Sequence, residues 1–133
     1  MLNPDVHFNA EVPAVLYRLM NDNKGIGLVM PKITYPDGRN QPLCKQFPSP
    51  LSLASRRFLG GLGKSLFAKQ LSRYELRHLD MGITREIPCL SGCFMFIRSA
   101  VLREVGLFDE RYFMYMEDVD LCRRIGARYK TVF

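Results

Sequence analysis

The chain predicts a layered α/β fold, and three observations lead there. Strand-like and helical stretches alternate in the order strand, helix, hairpin, basic insert, strand, helix, acidic helix, strand. Turn and breaker residues fall between those stretches rather than inside them. With 133 residues, 47% hydrophobic and 24% charged, the chain can bury one modest core, so one domain or part of one is expected.

Met1-Leu2 offers almost none of the buried strand that such a fold places before Asn3-Pro4-Asp5, so the chain reads as starting late. Asn9 is placed to cap a helix over Ala10 to Met20, with Val12, Leu16, Leu19 and Met20 at helical spacing and Pro13 inside the first turn. Asn21 to Gly25 ends it. Ile26 to Ile33 reads as a strand, Tyr35-Pro36-Asp37-Gly38-Arg39 as a tight turn and Gln41 to Gln46 as a return strand, together a hairpin. Phe47-Pro48-Ser49-Pro50 breaks the pattern. Ile87 to Leu90 and Cys93 to Ile97 are strand-like around Ser91-Gly92, Ser99 is placed to cap a short helix ending at Gly106, a helix runs from Glu117 to Ile125, and Tyr129 to Phe133 closes the chain as a strand.

The net charge of +6 is uneven. Between Leu51 and Leu79 six cations, Arg56, Arg57, Lys64, Lys69, Arg73 and Arg77, stand against the single carboxylate Glu75, so this basic insert (residues 51–79), expected to be mobile, carries most of the excess. Leu and Phe interleave with those cations, a mixture suited to an anionic membrane surface at about 1 kcal/mol per cation. Gly63-Lys64-Ser65 imitates the end of a phosphate-binding loop, but the first glycine would fall at Phe58 and no strand leads in. Cys44, Cys89, Cys93 and Cys122 form no CxxC pair and read as reduced thiols rather than a zinc site. Neither a cleavable leader nor an apolar run near the length of a bilayer span is visible, so the expected location is cytoplasmic. His7 and His78 have no convincing sequence partner.

Chemistry concentrates near the end. Five of the 13 carboxylates fall between Asp109 and Asp120, around Phe108, Tyr112, Phe113 and Tyr115. A helix begun at Glu117 puts Asp118, Leu121, Cys122 and Ile125 on its inward stripe, and Glu117, Asp120 and Arg124 on a more solvated face. An inward carboxylate at the start of an apolar stripe suits a general base. Acidic residues also simply favour helix N-termini, and spacing alone does not choose between these readings.

The run Phe108-Asp109-Glu110-Arg111-Tyr112-Phe113, followed by Tyr115-Met116-Glu117-Asp118-Val119-Asp120-Leu121-Cys122-Arg123-Arg124, resembles the FDExFFxYxEDxDLxxR signature of bacterial family 2 glycosyltransferases, especially the rhamnosyltransferase-like branch. Asn3-Pro4-Asp5, Pro36-Asp37-Gly38 and Ser91-Gly92-Cys93 with Ile97-Arg98 stand where that family has its NPD, PDG and SG segments. The resemblance implies the second half of a GT-A fold, a mixed sheet flanked by helices, whose nucleotide-binding half would precede Met1. It implies an inverting transfer from a nucleotide-sugar donor to a lipid-linked or polysaccharide acceptor in envelope assembly. Asp118 would be the general base, with Glu117 orienting it or touching the acceptor. Asp5 would hold a divalent cation, Mg²⁺ or Mn²⁺, with Asn3 helping indirectly. Ser91 and Gly92 would bring backbone close to the donor sugar, although a simple bulge explains them equally, and Tyr112, Phe113 and Tyr115 would wall the acceptor pocket. Asp120, Arg123 and Arg124 would be structural. On this reading nucleic acid is not a partner, the protein lies in the cytoplasm or peripherally on the membrane, and the 133 residues alone are inactive. The competing expectations are a non-catalytic basic protein docking on anionic membrane or nucleic acid, and a truncated product without activity.

Overall fold

The computed structural model describes residues 1–49, 68–76, 78–113 and 115–133. Most of the basic insert, including Arg56, Arg57 and Lys64, lies outside the described residues, and with it the expectation of a membrane-docking segment.

The chain forms a mixed α/β layer. Its elements are α1 (Glu11–Asp22), β1 (Ile26–Val29), β2 (Cys44–Lys45), α2 (Ala68–Tyr74), β3 (Cys89–Leu90), β4 (Phe96–Ile97), α3 (Ser99–Val105), α4 (Glu117–Gly126) and β5 (Lys130–Val132). β1 is central in a three-stranded sheet, antiparallel to β4 and parallel to β5, while β2 and β3 pair antiparallel in a second sheet. All four residues of β1 are buried, as expected of a strand covered on both faces. Hydrogen bonding to β5 continues through the Met30 amide to Val132, and then Pro31 supplies no N–H and the ladder stops. Gly27 is required by packing: a Cβ there would lie 2.7 Å from the Cβ of Tyr129, too close for any side chain.

Three local expectations are corrected. Asn9 does not cap α1: the helix starts at Glu11 behind Ala10 with no side-chain cap and runs on to Asp22. Its last turn is held from outside, where Arg98 Nη2 donates to the Met20 carbonyl at 2.6 Å. Ser99 is likewise the first helical residue of α3 rather than its cap, which is Arg98, although Gly106 (φ 85°) does end that helix. The largest change concerns the hairpin. Its tight turn exists, with a Thr34–Asn40 bridge and a Tyr35 amide bonded to the Arg39 carbonyl, but the return segment leaves β1 and pairs with β3. Cross-strand partners set that choice, and they are not written in local sequence.

α4 packs against β3, β5 and β1. Leu121, Cys122 and Ile125 are all buried, as the helical spacing predicts. Burying each large aliphatic side chain contributes about 1.5–3 kcal/mol. Met1 to Asn3 runs antiparallel to residues 93–95: Leu2 bridges Phe94, and the Asn3 amide donates to the Cys93 carbonyl at 2.9 Å.

Candidate active site

Two successive residues with left-handed backbone, Tyr115 (φ 64°) and Met116 (φ 73°), turn the chain into α4. Neither is glycine, and holding such conformations costs of order 1 kcal/mol each, which the surrounding structure must offset. Met116 offers no capping side chain. Part of that function passes to Asp118, whose Oδ1 accepts the Val119 N–H at 2.8 Å.

The other oxygen of Asp118 faces a different element. Oδ2 accepts the Gly92 N–H at 3.0 Å. One helical turn further on, the Cys122 thiol both accepts from the Leu90 N–H and donates to the Leu90 carbonyl, each at 3.4 Å. A helical turn nearly matches two residues of extended chain, so α4 and the segment from β3 through Gly92 lie side by side with rungs at both places. Asp118 is thus half-buried and fixed by two backbone donors from two elements.

Beside it opens a cavity of about 430 Å³ whose lining includes Lys45, Tyr74, Ser91, Tyr115, Glu117 and Asp118. Glu117, expected on a solvated face, instead has its Oε2 buried without a hydrogen-bond partner. Helical periodicity does not govern a residue in the first turn, because the loop before it, not another turn of helix, decides what covers it. An unpaired buried carboxylate oxygen is costly, and it accepts a donor from any ligand that enters.

Asp5 lies near Cys93. It is exposed and lines a separate cavity of about 670 Å³ with His7, Tyr35 and Cys93. Burial, and then the nearby Asp5 carboxylate, push the Cys93 thiol up from its ordinary pKa. Asn3 is exposed and contributes through its backbone. Among the described residues no three His, Cys, Asp or Glu side chains gather where a metal ion could be held. With fewer than three such donors there, a Mg²⁺ or Mn²⁺ ion at Asp5 would need water and ligand phosphate to complete its shell.

The remaining predicted site residues divide. A Cβ at Gly92 would sit 3.5 Å from the Asp118 Cβ and from Met1 Cε, ordinary contact, so packing within the chain does not demand glycine there. Tyr115 is 75% exposed yet lines the Asp118 cavity, whereas Tyr112 and the 95% exposed Phe113 are not part of that lining. Asp120 and Arg124 pair as expected at 2.8 Å, but Arg124 does more. Its guanidinium donates to the carbonyls of Val105 (2.6 Å) and Leu107 (2.8 Å), tying the end of α3 to α4. Arg123 is exposed and takes no part in that clamp. In the loop between the helices Arg111 grips Asp109, holding its pKa down at about 2 through side-chain and backbone hydrogen bonds.

Sequence reasoning missed Lys45 and the thiols behind Asp118. Lys45 reaches the cavity because β2 pairs with β3, where it faces Cys89. The hydrogen bond between Cys89 and Cys122, then burial, push the Cys89 thiol well above its ordinary range, and burial raises Cys44 to about 12. All four cysteines are free thiols. No helix among the described residues is long and apolar enough to cross a membrane.

The chain is 34% identical over 124 residues to the N-acetylglucosaminyl-diphospho-decaprenol L-rhamnosyltransferases of Mycobacterium tuberculosis strains CDC 1551 / Oshkosh and ATCC 25618 / H37Rv. The match covers 93% of this chain and 39% of those proteins. No family model and no solved structure matches the chain.

Proposed function

We propose that these residues form the acceptor-side part of a rhamnosyltransferase-like, family 2 glycosyltransferase of GT-A type, which transfers a sugar with inversion from a nucleotide-sugar donor to a hydroxyl of a lipid-linked or polysaccharide acceptor. The observation that carries this reading is the Asp118 carboxylate, aimed by the Gly92 and Val119 amides at the wall of a cavity large enough for a sugar. The similarity to enzymes whose name specifies a lipid-linked acceptor supports the same class.

In this mechanism the acceptor hydroxyl donates its proton to Asp118 as its oxygen bonds to the anomeric carbon, and the bond from that carbon to the donor phosphate breaks on the opposite face. Two fixed amides keep the carboxylate in line, so little reorganisation precedes proton transfer. Glu117 orients the acceptor through its buried, unpaired oxygen. A Mg²⁺ or Mn²⁺ ion bound at Asp5 would supply charge for the leaving diphosphate. Residues that grip the nucleotide lie outside this chain on this reading, and the 133 residues alone do not turn over. The basic 51–79 segment then serves peripheral attachment to the inner face of the membrane.

The test joins this chain to the remainder of the relatives' sequence and replaces Asp118 with Asn. Turnover should fall at least ~10²-fold with little change in donor affinity. Near-normal turnover would remove Asp118 from the base role.

A further inference from the structure

The loop between α3 and α4 carries the most exposed aromatic side chain among the described residues. Phe113 is 95% exposed, Tyr115 75%, Leu107 71% and Tyr112 42%. The site beside Asp118 does not absorb them, since of these four only Tyr115 lines its cavity. Nor is the loop slack. Arg124 donates to the Val105 and Leu107 carbonyls, the Tyr112 N–H donates to the Asp109 carbonyl, Arg111 grips Asp109, and the left-handed pair Tyr115 and Met116 fixes the exit into α4. A braced loop that already holds its rings out in water has little ordering entropy left to lose when something covers them.

Area and charge decide what that covering is. Full burial of an aromatic side chain removes about 150–250 Å² from water, so the three rings at these exposures offer on the order of 400 Å². A stable interface with a second copy or another protein takes about 800 Å² per partner. Four apolar side chains on one loop instead match shallow insertion into a bilayer, where aromatic rings settle between headgroups and acyl chains. With Asp109 paired to Arg111 and Glu110 exposed, the loop carries no net positive charge, so apolar area is what draws it to a surface.

We propose that Leu107, Tyr112, Phe113 and Tyr115 insert into the interfacial layer of a membrane and set the mouth of the Asp118 cavity against it. The proposal rests on the reading of that cavity as the site of a lipid-linked acceptor, and it adds an apolar contact at the cavity itself to the electrostatic one proposed for residues 51–79. The chain contains no tryptophan, so Phe113→Trp installs a fluorophore that reports this loop alone. With vesicles of phosphatidylcholine and phosphatidylglycerol its emission should shift to the blue and be quenched by bromine on the lipid acyl chains. Both changes should persist in high salt, which screens the basic segment but not apolar burial. Leu107→Ser in the same background should weaken vesicle binding ~10-fold. Emission that does not shift would overturn the proposal, and sedimentation with vesicles but no shift would assign the docking to another segment. A shift lost in high salt would overturn it by making charge the driving force. A blue shift that grows with protein concentration in the absence of lipid would overturn it in favour of a second copy. Insertion is read without turnover: Asp118→Asn leaves the shift in place, and transfer to an acceptor without a lipid would count against the lipid-linked reading while leaving the shift unchanged.

Discussion

Asp118 and Asp5 lie against the same short segment, Ser91 to Cys93, and differ in almost everything else. Asp118 is half-buried, its two oxygens each held by a backbone N–H from a different element. Asp5 is exposed and lines a separate cavity. A carboxylate fixed before any ligand arrives suits proton transfer, where misplacement by an ångström is costly. One that faces solvent suits a role completed by ligand and ion together. The pair shows how two carboxylates beside one polypeptide segment can differ, one fixed by backbone donors and one facing solvent.

The comparison breaks most directly at the seat of α4. Leu121→Ala removes a side chain that is 1% exposed, and should destabilise the chain by about 2–5 kcal/mol in chemical denaturation, loosening the Asp118 side first. Asp5→Ala probes the other half. In the chain joined to the relatives' remainder it should weaken donor binding ~10-fold with Mg²⁺ present and leave it unchanged without metal, about 1.4 kcal/mol by calorimetry. Equal affinity in both states would take Asp5 out of the metal role.

The entry into α4 offers a smaller, opposite effect. Met116 pays for φ 73° that glycine adopts freely, so Met116→Gly should raise the unfolding free energy by about 1 kcal/mol and, by loosening the turn, lower turnover of the joined chain. A drop in stability would mean the methionine side chain contributes more than its backbone costs. The smallest effect belongs to the Asp109–Arg111 clip. Its folded pKa lies below the ordinary 3.8, so its contribution is fully present above that value and is lost as pH falls through about 2. A carbon-13 titration of the Asp109 carboxyl with a midpoint near 3.8 would show the clip is not populated in solution.

Much of the fold is legible in sequence where one short-range rule decides. The inward stripe of Leu121, Cys122 and Ile125, the tight turn around Pro36-Asp37-Gly38 and the stop of α3 at Gly106 follow from helical period and backbone preference. The expected caps at Asn9 and Ser99 fail because helix ends also take partners from elsewhere, as Arg98 does for α1. The expected hairpin fails because strand pairing is a choice among distant edges.

At the site, the sequence by itself determined that carboxylates and aromatics cluster before an amphipathic helix and that Asp118 begins its buried face. Tertiary structure alone decided which amides hold Asp118, that one oxygen of Glu117 is buried, that Phe113 stands outside the cavity, and that Lys45 reaches it. The division has one physical cause. Periodicity fixes the direction of a side chain relative to its own element, while its partners are fixed by how elements meet, and those meetings bring together residues far apart in the chain.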